Sequence, residues 1–195
     1  MINCDFYHSD ELKELGFKKV GKDVLIHKTC IIFGVENISI DDNVRIDGFT
    51  SIVVPDGGYL IMGSHIHIAS HCYIGSGAGI IMEDFTGLAY GVKIHSMSDD
   101  YTGKSLTNST IPFEYKSINS GLVHIGKHSI IGSNTVILPK VNIPIGCSIG
   151  AMSMVTKNLE EWSVYFGCPV KKIKNRSKKL LTLEMEYLEK YKQNN

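Results

Sequence analysis

A chain of 195 residues, 43% hydrophobic and 21% charged, has room for one domain with terminal caps and carries too much apolar content to be disordered. Lysine plus arginine equals aspartate plus glutamate at 20 each, so no net field draws in nucleic acid or an anionic membrane. No apolar run nears the roughly 18 to 20 residues that span a bilayer, and the start Met-Ile-Asn-Cys-Asp has neither the basic nor the apolar region of a signal peptide; the expectation is a cytoplasmic protein without membrane insertion.

Residues 1–19 form a predicted cap, with Ser9 as N-cap of a short helix carrying Leu12 and Leu15 and Gly16 as its stop. A six-residue phase begins at Val20. It is clearest in Ile125, Ile131, Ile137, Ile143, Ile149 and Val155, each followed four places later by a smaller or β-branched residue such as Ser129, Thr135, Val141, Cys147 or Ser153. A period of six is neither helical nor that of a half-buried strand, and it matches the short strand-plus-turn units of a parallel β-helix. Earlier units put Val20, Ile26, Ile32, Ile40, Ile46, Ile52, Met62, Ile68, Ile74, Met82, Leu88 and Ile94 in the inward place. Every departure from six follows a third unit: Ile32 to Ile40, Ile52 to Met62, Ile74 to Met82, and Ile94 to Ile125. Insertions confined to one corner imply three-sided coils, about six of them over residues 20–157, and a prism about 25 to 30 Å tall at ~4.8 Å per coil. Five scattered cysteines without a Cys-x-x-Cys exclude a disulfide framework, and Cys30, Cys72 and Cys147 fall on the small inward position. The segment 95–124 is a long excursion loop in which Tyr101, Phe113 and Tyr115 offer packing surface. Residues 158–195 form an extension whose Leu181, Met185 and Leu188 predict a C-terminal helix.

These repeats, the loop, and the ending Ile149-Gly150-Ala151-Met152-Ser153-Met154-Val155-Thr156-Lys157 with Gly167-Cys168-Pro169-Val170-Lys171 resemble the hexapeptide-repeat acyltransferases over nearly the whole chain. That resemblance implies an all-β, left-handed parallel β-helix, a homotrimer with active sites between subunits, acetyl-CoA as acyl donor and no required metal. It implies donor contacts at Gly132, Ser133, Ala151, Thr156, Lys157 and Lys171, with main-chain groups for the pantetheine amides and cations for the phosphates.

Galactoside and maltose acetyltransferases place a loop histidine as general base where this chain has Asp99. An ordinary carboxylate near roughly 3.9 is a poor base at neutral pH. Three alternatives stay open: one carboxyl of the adjacent pair Asp99 and Asp100 raised by the other; His95 as base with Asp99 orienting it or holding the acceptor; or His65 or His67 reaching the pocket from the same or an adjacent subunit. Asp100, Tyr101 and His67 are candidate acceptor contacts. The loop wording from Ser98 to Gly103 and from Leu106 to Pro112 is similar to surface-polysaccharide O-acetyltransferases, so acetyl transfer to a sugar hydroxyl is the leading expectation. The alternative is N-acetylation of a nucleotide-linked amino sugar, because an amine needs less help from a base. A zinc carbonic anhydrase of this fold needs three imidazoles on a metal, which the spacings His65-x-His67-xxx-His71 and His124-xxx-His128 do not reproduce. A non-catalytic scaffold is the remaining alternative.

Overall fold

The computed structural model describes residues 5–194. Successive six-residue units lie on three successive faces of a left-handed prism. Face 1 carries Lys19–Val20, Ile38–Ile40, Leu60–Met62, Ile80–Met82, Val123–Ile125 and Asn142–Ile143. Face 2 carries Leu25–His27, Val44–Ile46, Ile66–Ile68, Gly87–Leu88, Ile130–Ile131 and Ser148–Ile149. Face 3 carries Ile31–Phe33, Ser51–Val53, Tyr73–Gly75, Lys93–His95, Val136–Ile137 and Met154–Val155. All three sheets are parallel within the coils and keep the inward residues in register, as in Ile52, Ile74, Ile94 and Ile137 on face 3. The expected inward aliphatics from Ile40 to Val155 are buried, and so are their small partners Thr50, Cys72, Ser129, Thr135 and Cys147. Aliphatic burial at about 25 cal/mol per Å² along one continuous column is the main favourable term.

The coils continue one strand beyond the expected six. Ser163–Phe166 pairs parallel with Ser148–Ile149 and sets Tyr165 above Ile149, which begins a seventh turn. A six-residue phase misses this strand because sixteen positions separate the two stacked residues. Leu159, Trp162, Tyr165 and Val170 are buried and close the end of the column. Both open edges of face 2 are finished by antiparallel strands, Phe6–His8 against Leu25–His27 and Lys171–Asn175 against Ser163–Phe166. The lysines of the second strand make it a poor template for further pairing.

The cap helix α1, Ser9–Glu14, plugs the first coil with Leu12, but its N-cap is His8, whose backbone N–H donates to Glu11 at 2.9 Å. The Ser9 hydroxyl instead accepts from the Val24 N–H at 3.0 Å, tying the cap to the coil, and Leu15 is exposed. The C-terminal helix α2 spans Leu180–Asn194. It folds back along the corner between faces 1 and 2, where Tyr187 meets the rings of His65 and Phe85 edge-on. Glu184 accepts from Lys127 Nζ at 2.5 Å and His128 Nε2 at 2.8 Å. Leu180, Glu184 and Tyr187 make the contacts at this corner; of the expected stripe Leu181 and Leu188 are half-buried and Met185 is exposed.

Burial alone would raise the Glu184 carboxyl, but the hydrogen bonds from Lys127 and His128 outweigh it and hold the group below the usual carboxylate range. A depressed folded value stabilises docking above the unfolded value of about 4.3 and loses that contribution as pH falls through the folded one. Glu184→Gln is expected to weaken docking by about 1–2 kcal/mol. Tryptic cleavage within α2 should then be faster at neutral pH, with acidification below about pH 4 producing the same exposure in the parent protein.

Candidate active site

The fourth coil ends on face 3 at Lys93–His95, and there the chain leaves the prism. Ser96 roots the departure: its buried hydroxyl donates to Gly75 O at 3.0 Å and accepts from Ala78 N at 2.9 Å. The segment that follows is a small lobe. Met97–Ser98 pairs antiparallel with Asn119–Ser120 to make a neck, Leu106 bridges Lys116, and Phe113–Tyr115 makes one 3₁₀ turn. The expected packing of its aromatics is not found within the chain: Tyr101 is 92% exposed, and Phe113 and Tyr115 are also exposed.

Between this lobe and face 3 lies a cleft of about 800 Å³. One wall is polar: His95, Ser98, Asp99, Asp100, Thr102 and Asn119. The other is apolar and comes from the fifth and sixth coils, with Val136, Leu138, Pro139 and Met154, while Met97 closes the neck side. Of the residues expected at the acceptor site, His95, Asp99, Asp100 and Tyr101 are brought together here. His65 and His67 are not: they border a separate shallow pocket with Asn43, Arg45 and Asp47 near the corner between faces 1 and 2.

Each member has a different environment. His95 is half-buried, with the Tyr73 ring 5.2 Å away, and burial, then the charge of Lys93, push its pKa down. Tyr73 can lie there because Gly75 has no side chain; a Cβ would stand 2.9 Å from the Tyr73 ring. The neutral imidazole is therefore held available as a proton acceptor. Lys93→Gln removes the charge and should raise the His95 pKa, moving the acidic limb of the pH–rate profile to higher pH. An unmoved limb would take His95 out of the titrating group.

Asp99 accepts from the Asn108 N–H at 3.2 Å. Asp100 accepts from the N–H groups of Thr102, Lys104 and Ser105, at 2.8, 3.0 and 3.2 Å, and from the Ser105 hydroxyl. Those donors hold its carboxyl down to about 2, hydrogen bonds at Thr102 contributing most. Asp100 thus staples the lobe, its own carboxyl lowered rather than raised.

The remaining expected residues are placed as follows. His65 sits at a left-handed corner, φ 59°, stacked on Phe85 at 4.6 Å. His67 Nε2 lies 2.8 Å from Asp47 Oδ2, whose other oxygen accepts from Arg45 Nε at 2.7 Å. Burial opposes the ionised form of Asp47, but these partners outweigh it and keep its carboxyl low. Gly132 and Ser133 turn the corner between faces 2 and 3 on the fifth coil, and Ala151 turns it on the sixth. Gly132 has a structural reason as well, because a Cβ would overlap the backbone of Gly150 and Ala151. Thr156 and Lys157 follow the last face 3 strand, and Lys171 opens the antiparallel edge strand; all three are exposed. Among the described residues no group of three or more His, Cys, Asp or Glu could hold a metal ion.

Tyr73, Met97, Asn119, Leu138, Pro139 and Met154 were not anticipated as neighbours of this site. The available signal was Gly75 and Gly77 in alternation, opposite the loop exit: Gly75 gives room to the Tyr73 ring and Gly77 to the Met97 thioether.

No family model matches the chain. The dTDP-4-amino-4,6-dideoxy-D-glucose acyltransferase of Escherichia coli is 41% identical over 174 residues, 89% of this chain and 90% of that protein. AntD, an N-acyltransferase from Bacillus cereus solved in complex with dTDP and 3-hydroxybutyryl-CoA, is 41% identical with a TM-score of 0.91, covering 96% of this chain and 98% of AntD. A point variant of AntD in complex with dTDP-4-amino-4,6-dideoxyglucose and coenzyme A gives 42% identity and the same TM-score, over 95% and 98% of the two chains. A maltose O-acetyltransferase from Clostridium difficile 630, at 22% identity and a TM-score of 0.55, shares the fold alone.

Proposed function

Because the chain belongs to the hexapeptide-repeat acyltransferases and uses an acyl-CoA donor, we propose that it acylates the amine of a dTDP-linked 4-amino-4,6-dideoxy sugar. The observation that carries this reading is likeness over nine-tenths of its length to an enzyme named for that acceptor and to AntD, one of whose complexes holds dTDP-4-amino-4,6-dideoxyglucose with coenzyme A. O-acetyl transfer to a sugar hydroxyl, the leading expectation from the loop, is supported only by more distant members such as the putative lipopolysaccharide O-acetyl transferase WbbJ of Escherichia coli, 26% identical. The aspartate at the usual histidine position fits the amine reading, since an amine loses its proton more readily than a hydroxyl.

In the proposed reaction the acceptor nitrogen attacks the thioester carbonyl carbon, the C–S bond breaks as the C–N bond forms, and the sulfur leaves as the thiol of coenzyme A. The nitrogen sheds its proton to His95 or Asp99, two of the titratable groups that line the cleft, and the departing sulfur takes up a proton in turn to become the thiol. The donor's pantetheine arm lies against the apolar wall of Val136 and Met154 and its phosphates face Lys157 and Lys171, with Gly132, Ser133, Ala151 and Thr156 along the path. A main-chain N–H polarises the thioester oxygen.

The working assembly is a homotrimer. Face 3 exposes Ile31 (70%) beside Phe33, and the lobe separately exposes Tyr101, Phe113 and Tyr115, apolar surfaces that a neighbouring copy would cover. A cytoplasmic location fits a pair of soluble activated substrates; no helix among the described residues is long and apolar enough to cross a membrane.

The test is coenzyme A release with acetyl-CoA and 3-hydroxybutyryl-CoA against dTDP-4-amino-4,6-dideoxyglucose, its 4-hydroxy counterpart and simple galactosides. The amine should be preferred by at least about a hundredfold in kcat/KM, the discrimination available to a site built around one polar group. Equal or better rates with hydroxyl acceptors would restore the O-acetyl reading.

A further inference from the structure

The residues at two corners of this prism make aromatic columns. Between faces 1 and 2 stand His65, Phe85, His128 and Trp162, with successive ring separations of 4.6, 5.2 and 6.5 Å, and α2 lies over this column through Tyr187. Between faces 2 and 3 stand Phe49, His71 and Tyr90, 5.1 and 5.0 Å apart. This second column is bare, with Phe49 63% and Tyr90 51% exposed. Phe49 and His71 hold φ values of 59° and 61°, while the next coils place Gly91 and Asn134 at the same corner, residues that adopt this backbone easily. The covered column holds the same corner backbone at His65, Phe85, His128 and Trp162, so what sets the second column apart is that its rings are displayed to solvent with no segment of the described chain over them.

We propose that the Phe49–His71–Tyr90 column is the platform on which the nucleobase of the acceptor stacks, with Lys93 facing its diphosphate and the sugar directed toward His95. This rests on the reading of the acceptor as a nucleotide-linked sugar. Tyr90, Lys93 and His95 follow one another along the fourth coil, from corner to strand end. At about 3.3 Å per residue the five steps span at most about 16 Å, the order of length of a base, a diphosphate and a hexose laid end to end. Charge follows the same line: exposed Lys93, its Nζ 3.0 Å from Gly91 O, stands between the ring corner and the imidazole, where a diphosphate would fall. Aromatic faces bind any base by stacking and an ammonium serves as a point charge for phosphate, so the arrangement suits a nucleoside diphosphate. The acceptor then approaches along the fourth coil, while the donor comes down face 3 from the sixth, and the two meet at His95.

The experiment is calorimetric titration of dTDP and, separately, of coenzyme A into the purified protein and its Tyr90→Ala, Tyr90→Phe and Lys93→Gln variants. Tyr90→Ala is expected to weaken dTDP about tenfold, within the range for loss of one stacked ring. Tyr90→Phe should stay within about twofold of the parent and Lys93→Gln should weaken dTDP and flatten its salt dependence, with coenzyme A affinity unchanged throughout. Unchanged dTDP affinity in Tyr90→Ala overturns the platform. So does a change of particle mass by light scattering in that variant, which would assign the column to contact between copies. A parent protein that binds coenzyme A and no dTDP would instead sink the nucleotide-sugar reading itself.

Discussion

Asp99→Asn is expected to lower turnover at least tenfold, and His95→Ala likewise, the low side of what a general base contributes. The asparagine keeps an oxygen to accept from the Asn108 N–H, so the lobe should keep its shape and the loss should fall on kcat more than on KM. His95→Ala removes a ring that touches Tyr73 without contributing to the buried column, so melting temperature should change little. The pH dependence separates the two acceptor chemistries. If the nucleophile is an amine, the neutral fraction grows as pH rises, and the deficit of Asp99→Asn should shrink steadily toward alkaline pH. A hydroxyl gains nothing comparable over the same range, and its deficit should stay constant. Near-parental rates in both variants would remove the lobe from the mechanism.

How much could be read in advance followed from the distance over which each feature is determined. The inward column was legible because a coil is one-dimensional: Ile74 is buried by Ile52 below and Ile94 above, and all three sit in the same phase. His95 and Asp99 were legible for the same reason, since their positions are counted from where the phase stops. The apolar wall of the cleft was not. Val136 and Met154 are neighbours through the stacking of the fifth and sixth coils, and nothing in either local sequence says which outward residues will line a cleft. The docking stripe of α2 was legible only in Leu181 and Leu188, which are half-buried; its receptor is a ring column with a polar pair, His128 and Lys127, so the contacts of Glu184 and Tyr187 leave no apolar periodicity. Ser9 was misread because a hydroxyl next to a helix start can serve either its own helix or, as here, a coil fifteen residues away.

The same one-dimensional construction makes the column's centre its point of greatest sensitivity. Ile74 has no exposed surface and lies between two coils on either side, so Ile74→Ala leaves a void that neither neighbouring strand can close without breaking its ladder on the other side. Transfer and cavity terms together should cost about 3–5 kcal/mol, a large share of the stability of a domain this size. Ile31→Ala is the informative contrast. Its side chain is 70% exposed on the same face, and for an isolated chain the change should lie within about 0.5 kcal/mol of neutral. Urea unfolding followed by circular dichroism over a range of protein concentrations reads both. A deficit for Ile74→Ala that does not vary with concentration, beside a deficit for Ile31→Ala that appears only where copies associate, would locate one residue in the core and the other in an interface. A cost for Ile74→Ala below about 1 kcal/mol would mean that the coils relax independently, and the stacked column would then not be what holds the prism together.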